Sequence, residues 1–219
     1  MKALVIGASG GIGAALTGAL AARGEEVTAL SRSEHGLDLT DEPATQRIIG
    51  GLEGRFDRII VASGALEIDG AEPEKTIRAI TQKAMLDQMA LNAVGPALVL
   101  RHAPKLLAKE NGMIAVLSAR VGSIGDNRLG GWISYRAAKA AVNQIVHTAA
   151  IELARTHKNS ICVALHPGTV ATAFTEKYLG RHPAVTPAEA AANLLTVMDG
   201  LTAEDTGLFF DWAGKRVAW

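Results

Sequence analysis

The chain has 219 residues, 48% of them hydrophobic, and its 22 basic side chains balance 22 acidic ones. This length suits one domain with a sizeable core, and the balanced charge argues against nucleic acid or an anionic membrane as a partner. No apolar run approaches the ~20 residues that cross a bilayer, and the apolar start of the chain is too short for a secretion signal. We therefore expect a single domain over residues 1–219 in a cytoplasmic protein.

The sequence has no cluster of metal-binding residues and no pair of cysteines for a disulfide. Cys162 is the only cysteine and lies in an apolar run, which is typical of core packing rather than of a nucleophile. The six histidines are scattered along the sequence, so we expect no metal site.

The first predicted element is a buried strand at residues 2–6, followed by a glycine-rich turn and by a helix at residues 14–22. The turn has the spacing Gly7-x-x-x-Gly11-x-Gly13. Glycines let the backbone approach a phosphate closely, and a helix N-terminus offers unpaired N–H groups and the positive end of a dipole. Because the turn directly follows the first strand, the spacing favours a phosphate site over a merely tight turn.

A second strand is predicted at residues 26–30, and Arg32 lies just beyond its end. At this position an acidic side chain suits the ribose 2′-hydroxyl of NAD, whereas an arginine suits the 2′-phosphate of NADP. Arg32 therefore favours NADP(H), with a solvated arginine as the alternative, although Glu34 lies close by in the sequence.

Residues 36–41 are predicted to form a third short strand that leads into a helix, with Thr40 or Asp41 as its N-cap. Only residues 33–36 connect this strand to the preceding one, which is too short for a helical crossover between parallel strands. Asp38 suits either the adenine edge of a dinucleotide or the backbone N–H groups of its own turn.

A fourth strand is predicted at residues 56–62, and Gly64 again places small backbone along the crevice where such sheets bind ligands. A polar loop then leads to a helical pattern over residues 76–109, which we expect to break near Gly95-Pro96.

Asn92 lies one turn before the expected break in the helix. A kink there frees backbone carbonyls, and an amide side chain could hold an ordered water among them. The alternative is an ordinary asparagine on the helix surface.

A fifth strand is predicted at residues 112–117 and ends at Ser118. A loop rich in glycine and polar residues then leads to a helix over residues 132–156. A hydroxyl at the strand end that faces this helix could hydrogen-bond a substrate carbonyl oxygen as charge develops on it. Ser118 and Ser123 are the candidates, and ordinary turn serines are the alternative.

Tyr135 and Lys139 lie four apart in the alanine-rich part of this helix, so they share one face. A free tyrosine has a pKa near ~10, so proton transfer near neutrality requires the phenolate to be stabilised by about 4 kcal/mol. A positive charge ~5 Å away supplies roughly 3 kcal/mol at an effective dielectric constant of ~20. The spacing therefore predicts a phenol made acidic by Lys139, with a surface lysine beside a packing tyrosine as the alternative.

A sixth strand is predicted at residues 161–165, and a Pro-Gly turn with two threonines follows it, which suits contacts to an amide or a phosphate. We expect His166, before the turn, to be held by local hydrogen bonds rather than to act as a base. Residues 173–185 could form a flap over the site. A helix at 187–198 and a strand at 208–212 complete the predicted elements.

Taken in this order, the motifs resemble those of the short-chain dehydrogenase/reductase family over nearly the full chain. The match consists of Gly7-x-x-x-Gly11-Ile12-Gly13, Ala62-Ser63-Gly64, Asn92, Ser118, Tyr135-x-x-x-Lys139 and Pro167-Gly168 with Thr172. Within the family, residues 121–124, the Gly-Gly-Trp before Tyr135 and the tail at Trp219 look like the C-factor-like and sniffer-like carbonyl reductases.

The resemblance implies a Rossmann-type, doubly wound, mostly parallel sheet with helices on both faces, which binds NAD(P)H at the C-terminal ends of its strands. It implies hydride transfer to or from a carbonyl carbon, with Tyr135 as the acid/base. Lys139 would lower the pKa of Tyr135 and hold the nicotinamide ribose. Asn92 would anchor a water, and Ser118 would orient the substrate oxygen. The cofactor-binding residues that the resemblance implies are Gly7, Ser9, Gly10, Gly11, Ile12, Gly13, Ser31, Arg32, Asp38, Leu39, Ala62, Ser63, Gly64, Tyr135, Lys139, Pro167, Gly168, Val170 and Thr172.

Three features depart from the family pattern. Val61-Ala62 stands where the family usually has an asparagine at the end of strand four, and Ala119 replaces the second of two serines after strand five. The helix usual between strands two and three is missing. Ser118 or Ser123 could take over the role of the absent serine, or the substrate oxygen is held less well.

The sequence thus predicts an NADP(H)-preferring carbonyl reductase or alcohol dehydrogenase that acts on a small-molecule carbonyl or alcohol. Its substrate loops are residues 120–131 and 173–185, and small faces on the two long helices suit pairing into a homodimer or homotetramer. The alternative is a dinucleotide-binding signalling or sensor protein with little turnover, which Ala119 and the C-factor resemblance allow.

Overall fold

The computed structural model describes residues 1–172, 175, 177 and 184–219. The strands among these residues are β1 (Lys2–Ile6), β2 (Glu26–Leu30), β3 (Arg58–Val61), β4 (Met113–Leu117), β5 (Ile161–His166) and β6 (Phe209–Asp211). They form one parallel sheet in the order β2-β1-β3-β4-β5-β6. The strand order therefore reverses beside β1, which is where open sheets of this kind bind ligands.

Helices cover both faces of the sheet. The α-helices of the described residues are α1 (Gly11–Ala22), α2 (Arg32–His35), α3 (Glu42–Ile48), α4 (Gln82–Met89), α5 (Gly95–Leu100), α6 (Ala103–Leu106), α7 (Ile133–Leu153) and α8 (Pro187–Gly200). A π-helix, Ala90–Val94, joins α4 to α5. Short 3₁₀ turns lie at Ile77–Ala79, Arg120–Gly122 and Ala203–Asp205.

Alternate residues of each strand belong to two separate cores, because successive side chains of a strand point to opposite faces. Leu4 and Ile6 of β1 pack in one core with side chains of α5, α6 and α7. Ala3 and Val5 pack in the other with side chains of α1 and α8. The predicted doubly wound sheet with helices on both faces is confirmed, and the pairing between its strands is parallel throughout.

The six observed strands were all predicted, with ends that differ by at most two residues. They were recognisable because strands buried on both faces are nearly continuous apolar runs; every residue of β4, for example, is buried. Cys162 of β5 is fully buried, and burial raises the pKa of its thiol to about 12. The prediction that this cysteine packs in the core is confirmed.

The predicted third strand at residues 36–41 is wrong. Gly36 ends the one-turn helix α2 in the left-handed conformation, and the Asp38 carboxylate accepts hydrogen bonds from the Thr40 N–H and hydroxyl. These local hydrogen bonds fold the residues into a turn, not into a strand that pairs with β2. Asp41 caps α3, as one of the two predicted alternatives, by accepting a hydrogen bond from Ala44.

The helical pattern predicted over residues 76–109 is interrupted where expected, and the interruption is the π-helix. Pro96 has no N–H to donate to the Asn92 carbonyl, and its ring would clash with that carbonyl in a regular helix. The backbone widens instead, so that the Gly95 N–H bonds to the Ala90 carbonyl five residues earlier. Asn92 therefore lies inside the widened turn.

No helix in the described part of the chain is both long and apolar enough to cross a membrane. Within the same ranges, no three His, Cys, Asp or Glu side chains are grouped so that they could hold a metal ion.

Candidate active site

The glycine turn between β1 and α1 is closed so tightly by backbone that a side chain fits at neither end. A Cβ on Gly13 would lie 2.1 Å from the Gly7 carbonyl oxygen, and a Cβ on Gly7 would lie 2.8 Å from the Ser63 nitrogen. Helix α1 begins at Gly11 without a side-chain cap at Gly10 and without an acidic residue in its first turn. Its first N–H groups are therefore open to an anion, and the turn fits the pyrophosphate of a dinucleotide.

The turn after β5 lies against this glycine turn, so two distant sets of predicted cofactor residues meet. A Cβ on Gly11 would lie 2.6 Å from Thr172 Cγ2. Gly168 has φ +80°, and a Cβ there would lie 2.9 Å from Trp212 Cδ1, so the position requires glycine. Val170 is buried, and its carbonyl accepts a hydrogen bond from the Thr175 hydroxyl. The remaining predicted cofactor residues around the two turns are exposed or partly buried: Ser9, Gly10, Ile12, Ala62, Ser63 and Pro167.

The residues predicted to bind the adenosine end lie between β2 and α3. Arg32 is exposed at the start of α2, and Ser31 is buried as the N-cap of that helix. Hydrogen bonds from Thr40 hold the pKa of Asp38 below its usual value, and the Arg32 charge adds to the effect. The local alternative for Asp38 is thus confirmed. Leu39 is buried.

Tyr135 and Lys139 share one face of α7, as their spacing predicts. The Lys139 Nζ lies 5.7 Å from the Tyr135 ring centroid and donates a hydrogen bond to the Leu117 carbonyl oxygen at the end of β4, at 3.0 Å. A Cβ on Gly64 would lie 3.5 Å from this Nζ and 2.7 Å from Asn92 Oδ1. The segment after β3 therefore passes between the two catalytic candidates Lys139 and Asn92 with no room for a side chain.

Asn92 is fully buried, so the alternative of a surface asparagine is wrong. Its Oδ1 accepts from the Ala65 N–H at 3.2 Å, and its Nδ2 donates to the Ala65 carbonyl at 2.8 Å and to Gln88 Oε1 at 2.7 Å. Gln88 in turn donates to the Leu66 carbonyl at 2.8 Å. The amide thus anchors the segment after β3.

Both candidate serines are buried and form hydrogen bonds within the chain. The Ser118 hydroxyl is buried and donates a hydrogen bond to Asn143 Oδ1 at 2.6 Å, so donation to a substrate oxygen would require this bond to break. Ser123 is also buried, and its hydroxyl accepts a hydrogen bond from the Asp126 N–H at 3.1 Å. Ala119, the position that follows Ser118, is partly exposed.

Burial controls the protonation states of Tyr135 and Lys139. Tyr135 is 6% exposed and Lys139 is 3% exposed. Burial raises the pKa of the Tyr135 phenol above its ordinary value and lowers the pKa of Lys139 to about 8. The predicted lowering of the phenol pKa is therefore wrong for the chain by itself, because removing both groups from water costs more than the attraction across ~5 Å supplies. Lys139 remains protonated near neutrality.

His166 is kept neutral by its surroundings. Burial lowers its pKa to about 4, and the Arg120 charge contributes. Its Nδ1 is buried without a hydrogen-bond partner among the described residues, so the local hydrogen bonds predicted for this histidine are not present at that nitrogen. A histidine with so low a pKa is a weak base, which agrees with its exclusion as the acid/base.

The predicted substrate loop at residues 120–131 starts as a 3₁₀ turn, and its first residue, Arg120, forms an ion pair with Asp126 in the middle of the loop. The flap predicted at residues 173–185 falls mostly outside the described residues. Of that segment, Lys177 pairs with Glu67 at 2.8 Å.

Three polar residues of the site were missed by reasoning from sequence. Gln88 lies four residues before Asn92 and Asn143 four residues after Lys139, so helical spacing could have suggested both. Glu74 accepts hydrogen bonds from Ser134 at the start of α7. No local pattern connects these two residues, which are 60 positions apart.

The sequence matches a family model described as short chain dehydrogenase over residues 35–181. The 1-hydroxy-2-glutathionyl-2-methyl-3-butene dehydrogenase of Rhodococcus sp. (strain AD45) is 30% identical, and the alignment covers 99% of this chain and 98% of the relative. The C-signal of Myxococcus xanthus is 34% identical over 62% of this chain and 78% of the relative.

Solved structures show the same fold. The carbonyl reductase Sniffer of D. melanogaster superposes with a TM-score of 0.85 at 21% identity, covering 100% of this chain and 99% of that one. An NADPH-bound carbonyl reductase from chicken fatty liver superposes with a TM-score of 0.83 at 25% identity, covering 100% of this chain and 94% of the other.

Lys139→Met should remove a pH dependence of stability that the buried amine creates. The pKa of Lys139 is about 8 in the folded chain against a usual 10.5, so between these values the unfolded state binds more protons and stability rises with pH. From about pH 7.5 to about pH 9.5, the free energy of unfolding of the wild type should rise by roughly 2 kcal/mol relative to Lys139→Met. Urea unfolding measures this, with Lys75→Met as an exposed control. Parallel pH profiles for wild type and Lys139→Met would contradict the assignment.

Proposed function

The chain belongs to the short-chain dehydrogenase/reductase family of oxidoreductases, and we propose that it transfers hydride between NADP(H) and a carbonyl or alcohol carbon, with Tyr135 as the acid/base. One observation carries the proposal. The Ser63-Gly64 segment lies against Gly7 of the glycine turn on one side and against Lys139 on the other. The anion site and the Tyr135 face of α7 therefore border a single crevice.

The residues present fit a bound dinucleotide. The glycine turn and the open N-terminus of α1 suit its pyrophosphate, and Lys139 suits the nicotinamide ribose. The Ser63 hydroxyl is buried without a hydrogen-bond partner among the described residues, so a ligand group could satisfy it. When bound, the nicotinamide would supply or accept the hydride.

Tyr135 would act as the acid in the reducing direction. Its hydroxyl donates a proton to the carbonyl oxygen as the carbonyl carbon gains the hydride, and the product is the alcohol. Because burial raises the pKa of Tyr135, the phenol carries its proton at neutral pH. The protonated Lys139 amine, 5.7 Å from the ring centroid, stabilises the phenolate that remains until it recovers a proton from water.

The substrate oxygen would be held without the family's second serine. Ala119 occupies that position, and the Ser118 hydroxyl donates its hydrogen bond to Asn143 Oδ1. Tyr135 would therefore be the principal donor to the oxygen. Restoring a hydroxyl with Ala119→Ser adds a second donor where charge develops.

Tyr135→Phe should lower kcat for carbonyl reduction by about 10²–10⁴-fold while NADPH binding is retained, because a positioned acid contributes a factor of this size. NADPH oxidation with aldehydes, ketones and quinones measures the rates. A glutathione-conjugated alcohol joins the panel in the oxidising direction, since the Rhodococcus relative is named for such a compound. Ala119→Ser, which leaves Tyr135 in place, should raise the rate. Equal rates for wild type and Tyr135→Phe would rule out the acid/base role.

The second candidate function is a signalling or sensor protein that binds the dinucleotide with little turnover. Two observations favour it: Ala119 leaves the substrate oxygen without its usual second donor, and the chain is similar to C-signal. Tight NADPH binding by the wild type, with no oxidation by any compound of the panel, would support this function over the first.

Arg32→Ala should weaken NADPH binding by about tenfold or more and leave NADH binding nearly unchanged, because a charge-assisted bond to the 2′-phosphate is lost. The exposed position of Arg32 at the start of α2 and the NADPH-bound relative of known structure support the preference for NADP(H). Fluorescence titration with both cofactors measures it, with Arg47→Ala on α3 as an exposed control. Equal losses for the two cofactors would refute the assignment.

A homodimer or homotetramer is proposed on the basis of the outer face of α4 and α7. Leu86 of α4, Val94 of the adjoining π-helix and Ile151 of α7 are 58%, 49% and 52% exposed, and a two-fold pairing would cover these side chains in both copies. Light scattering should give a dimer or tetramer for the wild type and a smaller species for Ile151→Glu. Leu129→Glu, at a residue 90% exposed on the substrate loop, is the control. A monomeric wild type would exclude the pairing.

A further inference from the structure

Helix α7 carries Tyr135 in its first turn but begins without a cap of its own. The residue before it, Trp132, has φ +52° and does not cap the helix with its side chain, and the first turn contains no acidic residue. The first N–H groups of a helix have no partner within the helix. Because this end of α7 is buried, those groups require an acceptor from elsewhere in the chain.

Glu74 provides that acceptor from a distant segment. Its carboxylate accepts hydrogen bonds from the Ser134 N–H at 3.1 Å and from the Ser134 hydroxyl, and its backbone carbonyl accepts from the Trp132 N–H. The side chain is 7% exposed. Burial opposes its charge, but the hydrogen bonds from Ser134 and nearby backbone N–H groups leave the pKa of Glu74 below its usual value. The carboxylate is therefore ionised at neutral pH, the form that stabilises a helix N-terminus.

The segment that carries Glu74 is anchored at its other end by Asn92 and by the neighbouring Gln88. Asn92 holds Ala65 through two hydrogen bonds, and Gln88 holds the Leu66 carbonyl. Residues 65–74 therefore connect the widened helical turn at Asn92 with the first turn of α7. Any shift of this segment moves both walls of the crevice.

We propose that Glu74 is a positioning residue for the reaction, which acts by holding the first turn of α7 so that the Tyr135 phenol is aligned with the substrate oxygen. The proposal rests on the oxidoreductase function proposed above. Ser134, which carries both bonds to the carboxylate, is bonded covalently to Tyr135, so a loosened first turn displaces the phenol directly. Displacements well below 1 Å are enough to reduce proton transfer.

The test compares Glu74→Gln with wild type. The amide keeps the shape of the side chain, but an NH₂ group replaces one of the two oxygens that accept from the Ser134 N–H and the Ser134 hydroxyl, so this paired acceptance is lost. We expect kcat per cofactor-binding site to fall about tenfold, with NADPH affinity within about twofold of wild type and a changed pH profile of kcat. Glu72→Ala, two residues away on the same segment and exposed, should leave all of these values unchanged.

Ser134→Ala serves as a second probe, since it removes the hydroxyl and keeps the N–H bond to the carboxylate. Its kcat should lie between those of wild type and Glu74→Gln, and the double variant should be no worse than Glu74→Gln alone. A Glu74→Gln protein with wild-type kcat and pH profile would overturn the proposal. So would a loss of activity that only follows a loss of cofactor-binding sites, because that outcome indicates a purely structural role.

Hydrogen exchange at the amides of residues 133–136 separates failure of this proposal from failure of the proposed function, since it needs no turnover. Faster exchange in Glu74→Gln than in Glu72→Ala supports the inference that Glu74 holds the first turn of α7 in place. Unchanged exchange overturns it, whatever the activity. An inactive wild type that binds NADPH refutes the proposed function instead.

Discussion

The burial of the Lys139 amine is the constraint on which the rest of the site depends. The amine donates to the Leu117 carbonyl oxygen at 3.0 Å, and a Cβ on Gly64 would lie 3.5 Å from its Nζ. Gly122 packs against the backbone of the same residue, where a Cβ would lie 2.7 Å from the Lys139 carbonyl carbon. Removing a cation from water is costly, so the carbonyl dipole and the adjacent face of the Tyr135 ring are needed to offset the loss. Helix α7, strand β4 and the segment after β3 are therefore held in one arrangement.

The same loss of water sets the chemistry of Tyr135. A phenol beside an ammonium group becomes more acidic when both are hydrated, but here burial raises the pKa of Tyr135 and lowers that of Lys139. The two groups stay in their protonated forms near neutrality. This state suits proton donation to a carbonyl oxygen, with the amine in place to stabilise the phenolate once it forms.

Hydrogen bonds between side chains and distant backbone hold the crevice together. Asn92 and Gln88 fasten the segment after β3 at Ala65 and Leu66, and Glu74 fastens the end of the same segment to α7. Such bonds are strong when buried, because an unpaired polar group in the interior is costly. The walls of the site are therefore linked to one another and not only to the sheet behind them.

The sequence by itself determined the sheet, the glycine turn and the shared face of Tyr135 and Lys139, because apolar runs and fixed spacings act over a few residues. The strand predicted at residues 36–41 is absent, because hydrogen bonds to Asp38 compete there with strand pairing. Only the tertiary structure decided that Ser118 bonds to a residue 25 positions away, and that burial reverses the expected shift of the phenol pKa. Partners and desolvation depend on which segments meet, and spacing along the chain does not contain that information.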